Sequence, residues 1–156
     1  MQYILGFIFS YLSAVGFAML FSCPKRSIGL SSLAGALGFL IYMLVREFYG
    51  GLFLSVFLGS YFTGIVGEIF ARKCKMPAIL FIVPGMINLV PGKGIYNTLF
   101  YFVDGQKSLA LVTLFDTMAI ALAISFGILL ASVLSKSLMT FKFRKPSKKY
   151  DWRKKK

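Results

Sequence analysis

The chain contains no histidine, only two cysteines and only five acidic residues among 156. Without histidine, and with Cys23 and Cys74 far apart and lacking the paired spacing of a metal site, there is no ligand set for a metal cofactor. No nucleophile–base pair can be assembled from what remains, so a membrane enzyme is disfavoured. Scarcity of carboxylates also leaves charge lopsided, with 18 Lys and Arg against 5 Asp and Glu. The positive residues stand between and after apolar runs and cluster near the C-terminus. That distribution reads as membrane topology, and nothing besides charge supports nucleic-acid binding.

Apolar residues are abundant: 58% of the chain is hydrophobic and mean hydropathy is +0.77. A soluble domain of this length could not bury so much apolar surface, so the sequence predicts an all-α integral membrane protein. The first apolar run lacks the basic leader and small-x-small cleavage site of a signal peptide. Leu20-Phe21-Ser22-Cys23 is only faintly like a lipoprotein cleavage site, again without the leader. We read 3–21 as a retained span. A helix needs about 20 apolar residues to cross the hydrocarbon core, and 28–45, 52–70 and 109–134 also qualify. The predicted membrane domain is 1–135, followed by a basic tail, 136–156, too polar to pack and expected to be disordered and to meet anionic lipid headgroups. Docking of that tail on a partner is the sharper alternative.

Between the third and last of these spans lies 78–103, long enough to cross but interrupted by Val83-Pro84-Gly85 and again by Val90-Pro91-Gly92. Proline deletes a backbone donor and presses on the carbonyl four residues back, leaving polar groups that lipid cannot satisfy. Such backbone is tolerated at membrane depth only where protein or water surrounds it. We therefore predict about five spans, the fourth discontinuous at both Pro-Gly steps. Fifteen of the 18 positive residues then fall on one side, which puts the N-terminus outside and the C-terminus in the cytoplasm. A re-entrant loop at 78–103 would instead export the ten positive residues from Lys136 onward. Both cysteines fall near the cytoplasmic face, where a structural disulfide is not expected.

The broken span supplies the first candidate residues: Pro84, Gly85, Asn88, Pro91 and Gly92, with free amides and carbonyls that suit carboxylates and ammonium groups. A plain proline kink is the bland alternative for either step alone. Gly92-Lys93-Gly94 is not a phosphate loop, because Ile87 stands where the first glycine is needed and no Ser or Thr follows the lysine. Asp116 is the stronger of two intramembrane carboxylates. At about 100° per residue it shares a face with Ala123 and Gly127, beside a ridge of Ala119, Ala123, Gly127 and Ala131 at four-residue spacing. An interior-facing Asp116 is predicted, as a proton carrier, an amine contact or a partner of Lys107. Glu68 stands four residues before Arg72, so an intrahelical ion pair or proton site is predicted there. Gly59, Thr63 and Gly67 form a second small-residue stripe for close packing. Arg46-Glu47 reads as ordinary interfacial charge.

Ile82-Val83-Pro84-Gly85-Met86-Ile87-Asn88-Leu89-Val90-Pro91-Gly92-Lys93-Gly94-Ile95-Tyr96, together with Ala14-Val15-Gly16-Phe17-Ala18-Met19-Leu20-Phe21 and the following Pro24-Lys25-Arg26, resembles the threonine/serine exporter family, in its short five-span C-terminal-half type. Asn88 stands where that family pattern commonly has proline. The resemblance implies the small subunit of a two-component exporter in the bacterial cytoplasmic membrane, paired with a larger membrane subunit. It implies export of threonine and serine, or of a dicarboxylate such as succinate, driven by the proton-motive force, with no cofactor. A non-transporting assembly subunit is the competing reading.

Overall fold

The computed structural model describes residues 1–142, all of whose regular elements are helical. The first three helices end at local stop signals. α1 (Gln2–Leu20) stops ahead of Pro24, with Ser22 in the left-handed region at φ 51° and the Cys23 amide returning to the Ala18 carbonyl. α2 (Lys25–Tyr49) closes on Gly50, φ 66°, whose amide returns to the Arg46 carbonyl. α3 (Leu52–Cys74) closes on left-handed Lys75, with the Met76 amide reaching the Ala71 carbonyl just before Pro77.

The broken element comes next. α4 (Ile79–Met86) tightens into a 3₁₀ turn, Ile87–Leu89, after which Val90 is extended at ψ 131°. α5 (Gly92–Val103) starts on Pro91, bent 52° from the preceding pair. The predicted interruption at Pro84-Gly85 is absent, because α4 runs straight through it. Pro84 frees the Leu80 carbonyl, and the Cys23 thiol donates to that oxygen at 4.0 Å. One neighbour's donor thus replaces the missing amide, and the single discontinuity lies at Val90–Pro91.

α6 (Lys107–Lys142) is the longest helix and continues past the predicted domain end at 135 through Lys142. No proline or glycine occurs between Ser135 and Lys142 to stop it. The rest of the expected tail, 143–156, lies outside the described residues. Four helices, α1, α2, α3 and α6, are long and apolar enough to cross a membrane, and α4 with α5 makes a fifth if the bent pair is one span.

α3 is the hub because it is small on three faces. Toward α2, a Cβ on Gly38 would lie 2.8 Å from the Gly59 carbonyl, and Thr63 occupies the same crossing. Toward α4, a Cβ on Gly67 would come within 2.8 Å of Ile82. Toward α6, Ser60 and Gly64 meet Gly127 and Ala131. Removing side-chain bulk lets backbones approach, so dispersion replaces the hydrophobic driving force that lipid does not supply. Ala123, Gly127 and Ala131 of the predicted ridge are buried, and Ala119 is exposed. α1 lies on α2 and α4, while α5 packs on α6.

Pairings of residue 60 with 127 and of 64 with 131 make α3 and α6 parallel. Along α4 the order is reversed, with Ile82 at Gly67, Gly85 at Thr63 and Leu89 at Gly59. α5 then runs antiparallel to α6, Gly94 against Thr117 and Thr98 bonded to Thr113. The segment from α4 through α5 therefore advances in one direction and does not double back.

Candidate functional site

Pro84-Gly85 sits in a helix crossing. Both residues are buried, and a Cβ placed on Gly35 of α2 would lie 2.6 Å from the Gly85 carbonyl oxygen and 2.7 Å from its Cα. A Cβ placed on Gly85 would in turn lie 3.1 Å from the Gly35 amide nitrogen, 3.1 Å from Thr63 Cγ2 and 3.2 Å from the Ser31 carbonyl oxygen. The backbones of α2 and α4 are in contact here, with the Thr63 side chain of α3 against them. Pro84 also borders a hollow of about 210 Å³ lined by apolar side chains, with Phe21, Cys23, Ile79, Leu80 and Val83 around it. Burial of the Cys23 thiol, in the turn between α1 and α2, raises its pKa above the ordinary thiol value.

Seven residues further on, the second step is open. Asn88, in the 3₁₀ turn, donates its amide to the Ser10 carbonyl at 3.1 Å and to the Ser10 hydroxyl at 2.8 Å, tying the turn to α1. Extended Val90 and Pro91 follow. Ile95 to Pro91 is the first helical bond of α5, and no side chain caps that helix. The amides of Lys93 and Gly94 thus have no partner within the helix. Gly92 and Lys93 are exposed.

Asp116 does not face the bundle interior. It is exposed and makes no hydrogen bond or ion pair among the described residues. The prediction followed the helix-wheel position near buried Ala123 and Gly127; α3 begins at Leu52, which the 60/127 and 64/131 pairings set level with about residue 119, so Asp116 stands roughly one turn beyond the start of α3. Because Gly94 abuts Thr117 in an antiparallel pair, the preceding residues, Lys93 and Asp116, project to the same side of α5 and α6. A cation, an anion and unbonded amides therefore gather beside the break, a set able to hold the two charges of a zwitterion.

At the opposite end, Arg72 Nη2 donates to Glu68 Oε2 at 3.1 Å, with 10% of the Glu68 side chain exposed. Among the described residues no three of Cys, Asp and Glu come together as metal ligands. Sequence reasoning missed Ser10, Ser31, Gly35, Gly94 and Thr117. For Ser10, Ser31 and Gly35 the signal was present: Ser10-Ala14-Ala18 and Ser27-Ser31-Gly35 repeat at the four-residue spacing already noted in α3 and α6. The Ser27 and Ser31 hydroxyls return to the carbonyls three residues before them, Pro24 at 2.9 Å and Ile28 at 2.9 Å, so they act as small packing residues, whereas the Ser10 hydroxyl accepts from Asn88.

Several long apolar helices interlocked through glycine and serine define a multi-pass membrane protein. Residues 6–134 match the family described as Threonine/Serine exporter, ThrE. The chain belongs to that family and is a membrane transporter of the threonine/serine exporter type. No solved structure matches it.

Proposed function

We propose that this chain is the small subunit of a two-component secondary exporter, contributing five spans to a complex whose larger membrane subunit contributes the rest. Its N-terminus lies outside and its basic C-terminus in the cytoplasm of a bacterial cell, at anionic headgroups. Cargo leaves past the break at Val90–Gly92. The observation that carries this reading is the 52° bend there, with unbonded amides and two unpaired opposite charges beside it. Discontinuous helices with this equipment hold substrate in secondary transporters. A substrate carboxylate meets Lys93 and the amides of α5, and an ammonium group meets Asp116. Pro84 and Gly85 serve packing, while Asn88, Pro91, Gly92 and Asp116 flank the path. Asp116 carries the proton that couples export to the proton-motive force.

The test is efflux of labelled threonine, serine and succinate from proteoliposomes holding this chain with and without the larger subunit. Efflux of one cargo only when both are present supports the reading; silence from a verified complex overturns it. Asp116→Asn should abolish pH-gradient-driven efflux with assembly intact, and unchanged efflux would remove Asp116 from coupling. A scaffold role is the second reading, favoured by the filled crossing at Gly35 and Gly85. It predicts that Pro91→Ala leaves flux untouched.

A further inference from the structure

We propose that the hollow between the start of α1 and the end of α2 binds the headgroup of a phospholipid bearing a primary amine, of the phosphatidylethanolamine class. α1 and α2 are in close contact at Gly6, where an added Cβ would lie 2.6 Å from the Met43 sulfur. Beyond that point the helices part, and a hollow of about 330 Å³ opens between them. Its apolar floor is Phe39, Tyr42 and Met43, the rings of Phe39 and Tyr42 standing 5.5 Å apart. Arg46 and Glu47 form the rim.

The rim charges are opposite in sign and adjacent in sequence, yet they do not pair. Arg46 Nη1 donates to the Tyr42 hydroxyl at 3.3 Å, which steadies the guanidinium and leaves its other N–H groups available. Glu47 has no partner among the described residues. A hollow that holds one cation and one anion apart suits a ligand carrying an anion and an ammonium group a short linker away. A phosphodiester takes the guanidinium fork, and a primary ammonium gives the carboxylate a charge-assisted hydrogen bond.

Three features favour a lipid over a soluble zwitterion. The floor is apolar, as the glycerol and upper acyl region requires. α1 is the peripheral helix, with most of its large side chains exposed, so the hollow borders the bilayer. Tyr3, Tyr42 and Tyr49 gather at this end, the placement that aromatic side chains take at the headgroup level. Phosphatidylcholine has no N–H to offer Glu47, and phosphatidylglycerol has no cation at all.

The full chain, purified in detergent, is titrated with phosphatidylethanolamine, phosphatidylcholine and phosphatidylglycerol of identical acyl chains, with bound lipid read by native mass spectrometry. One phosphatidylethanolamine is expected to be retained, roughly tenfold more tightly than the other two. Glu47→Gln should abolish that preference and Arg46→Gln should weaken retention of all three lipids, neither changing the lipid-free unfolding temperature, since both side chains are exposed. Equal retention of the three lipids by the unmodified chain would overturn the assignment. So would undiminished preference in Glu47→Gln, unchanged retention in Arg46→Gln, or displacement of the bound lipid by free threonine or serine, which would make this a site for a soluble zwitterion.

Discussion

Single atoms decide how closely α2 and α4 can cross. Gly35 meets the Gly85 backbone so nearly that a methyl group would strike the carbonyl oxygen, and backbone on both sides cannot swing away. Gly35→Ala should therefore lower stability by about 1–3 kcal/mol, as overpacking does, visible as a fall in unfolding temperature in detergent. An unchanged transition would mean that α2 and α4 can separate at no cost. Asn88 illustrates the other kind of residue. Its two bonds to Ser10 hold the 3₁₀ turn against α1, a role no proline at that position could fill because proline has no side-chain donor. Asn88→Ala should cost about 1 kcal/mol, the net worth of a partly buried hydrogen bond, and a variant as stable as the parent would argue that the turn is held elsewhere.

At the scale of elements, the two Pro-Gly steps have the same letters and different structures. Pro84 lies inside a continuous helix whose freed carbonyl has found a thiol; Pro91 starts a new helix at an angle. Pro84→Ala should leave stability within about 1 kcal/mol of the parent, since the restored amide only replaces Cys23 as donor. Pro91→Ala should straighten the junction and cut export roughly tenfold or more with assembly intact. Equal effects at the two sites, measured side by side in the flux assay, would refute the distinction. Of the two expected breaks only the one at Pro91 is present; an all-helical chain with four to five helices able to cross a membrane was legible from hydropathy, and the buried Gly59, Thr63, Gly67, Ala123, Gly127 and Ala131 from four-residue spacing. The fate of Pro84 was not, because it depends on Cys23, 57 positions away along the chain from the carbonyl it serves. Nor was the exposure of Asp116, because spacing gives the face of a helix and says nothing of how far along that face a neighbour reaches.

Across the whole molecule, orientation and reactivity can be read together. Cys74 is half-buried at the end of α3 and Cys23 is buried with its pKa raised, so Cys23 holds less of the nucleophilic thiolate at neutral pH. An impermeant maleimide should modify Cys74 in inside-out vesicles and spare it in intact cells, with Cys23 slower throughout; labelling of Cys74 from outside would invert the proposed topology. The division of partners along the broken element also has a consequence for biosynthesis. α4 has its partners, α1, α2 and α3, as soon as it leaves the ribosome, whereas α5 rests on α6, which is made last. The bend at Val90 thus separates an early docking event from a late one. A chain ending at residue 106, released and held in detergent, should protect α4 from protease and leave α5 open to it, and equal protection of both would show that α5 finds its place unaided.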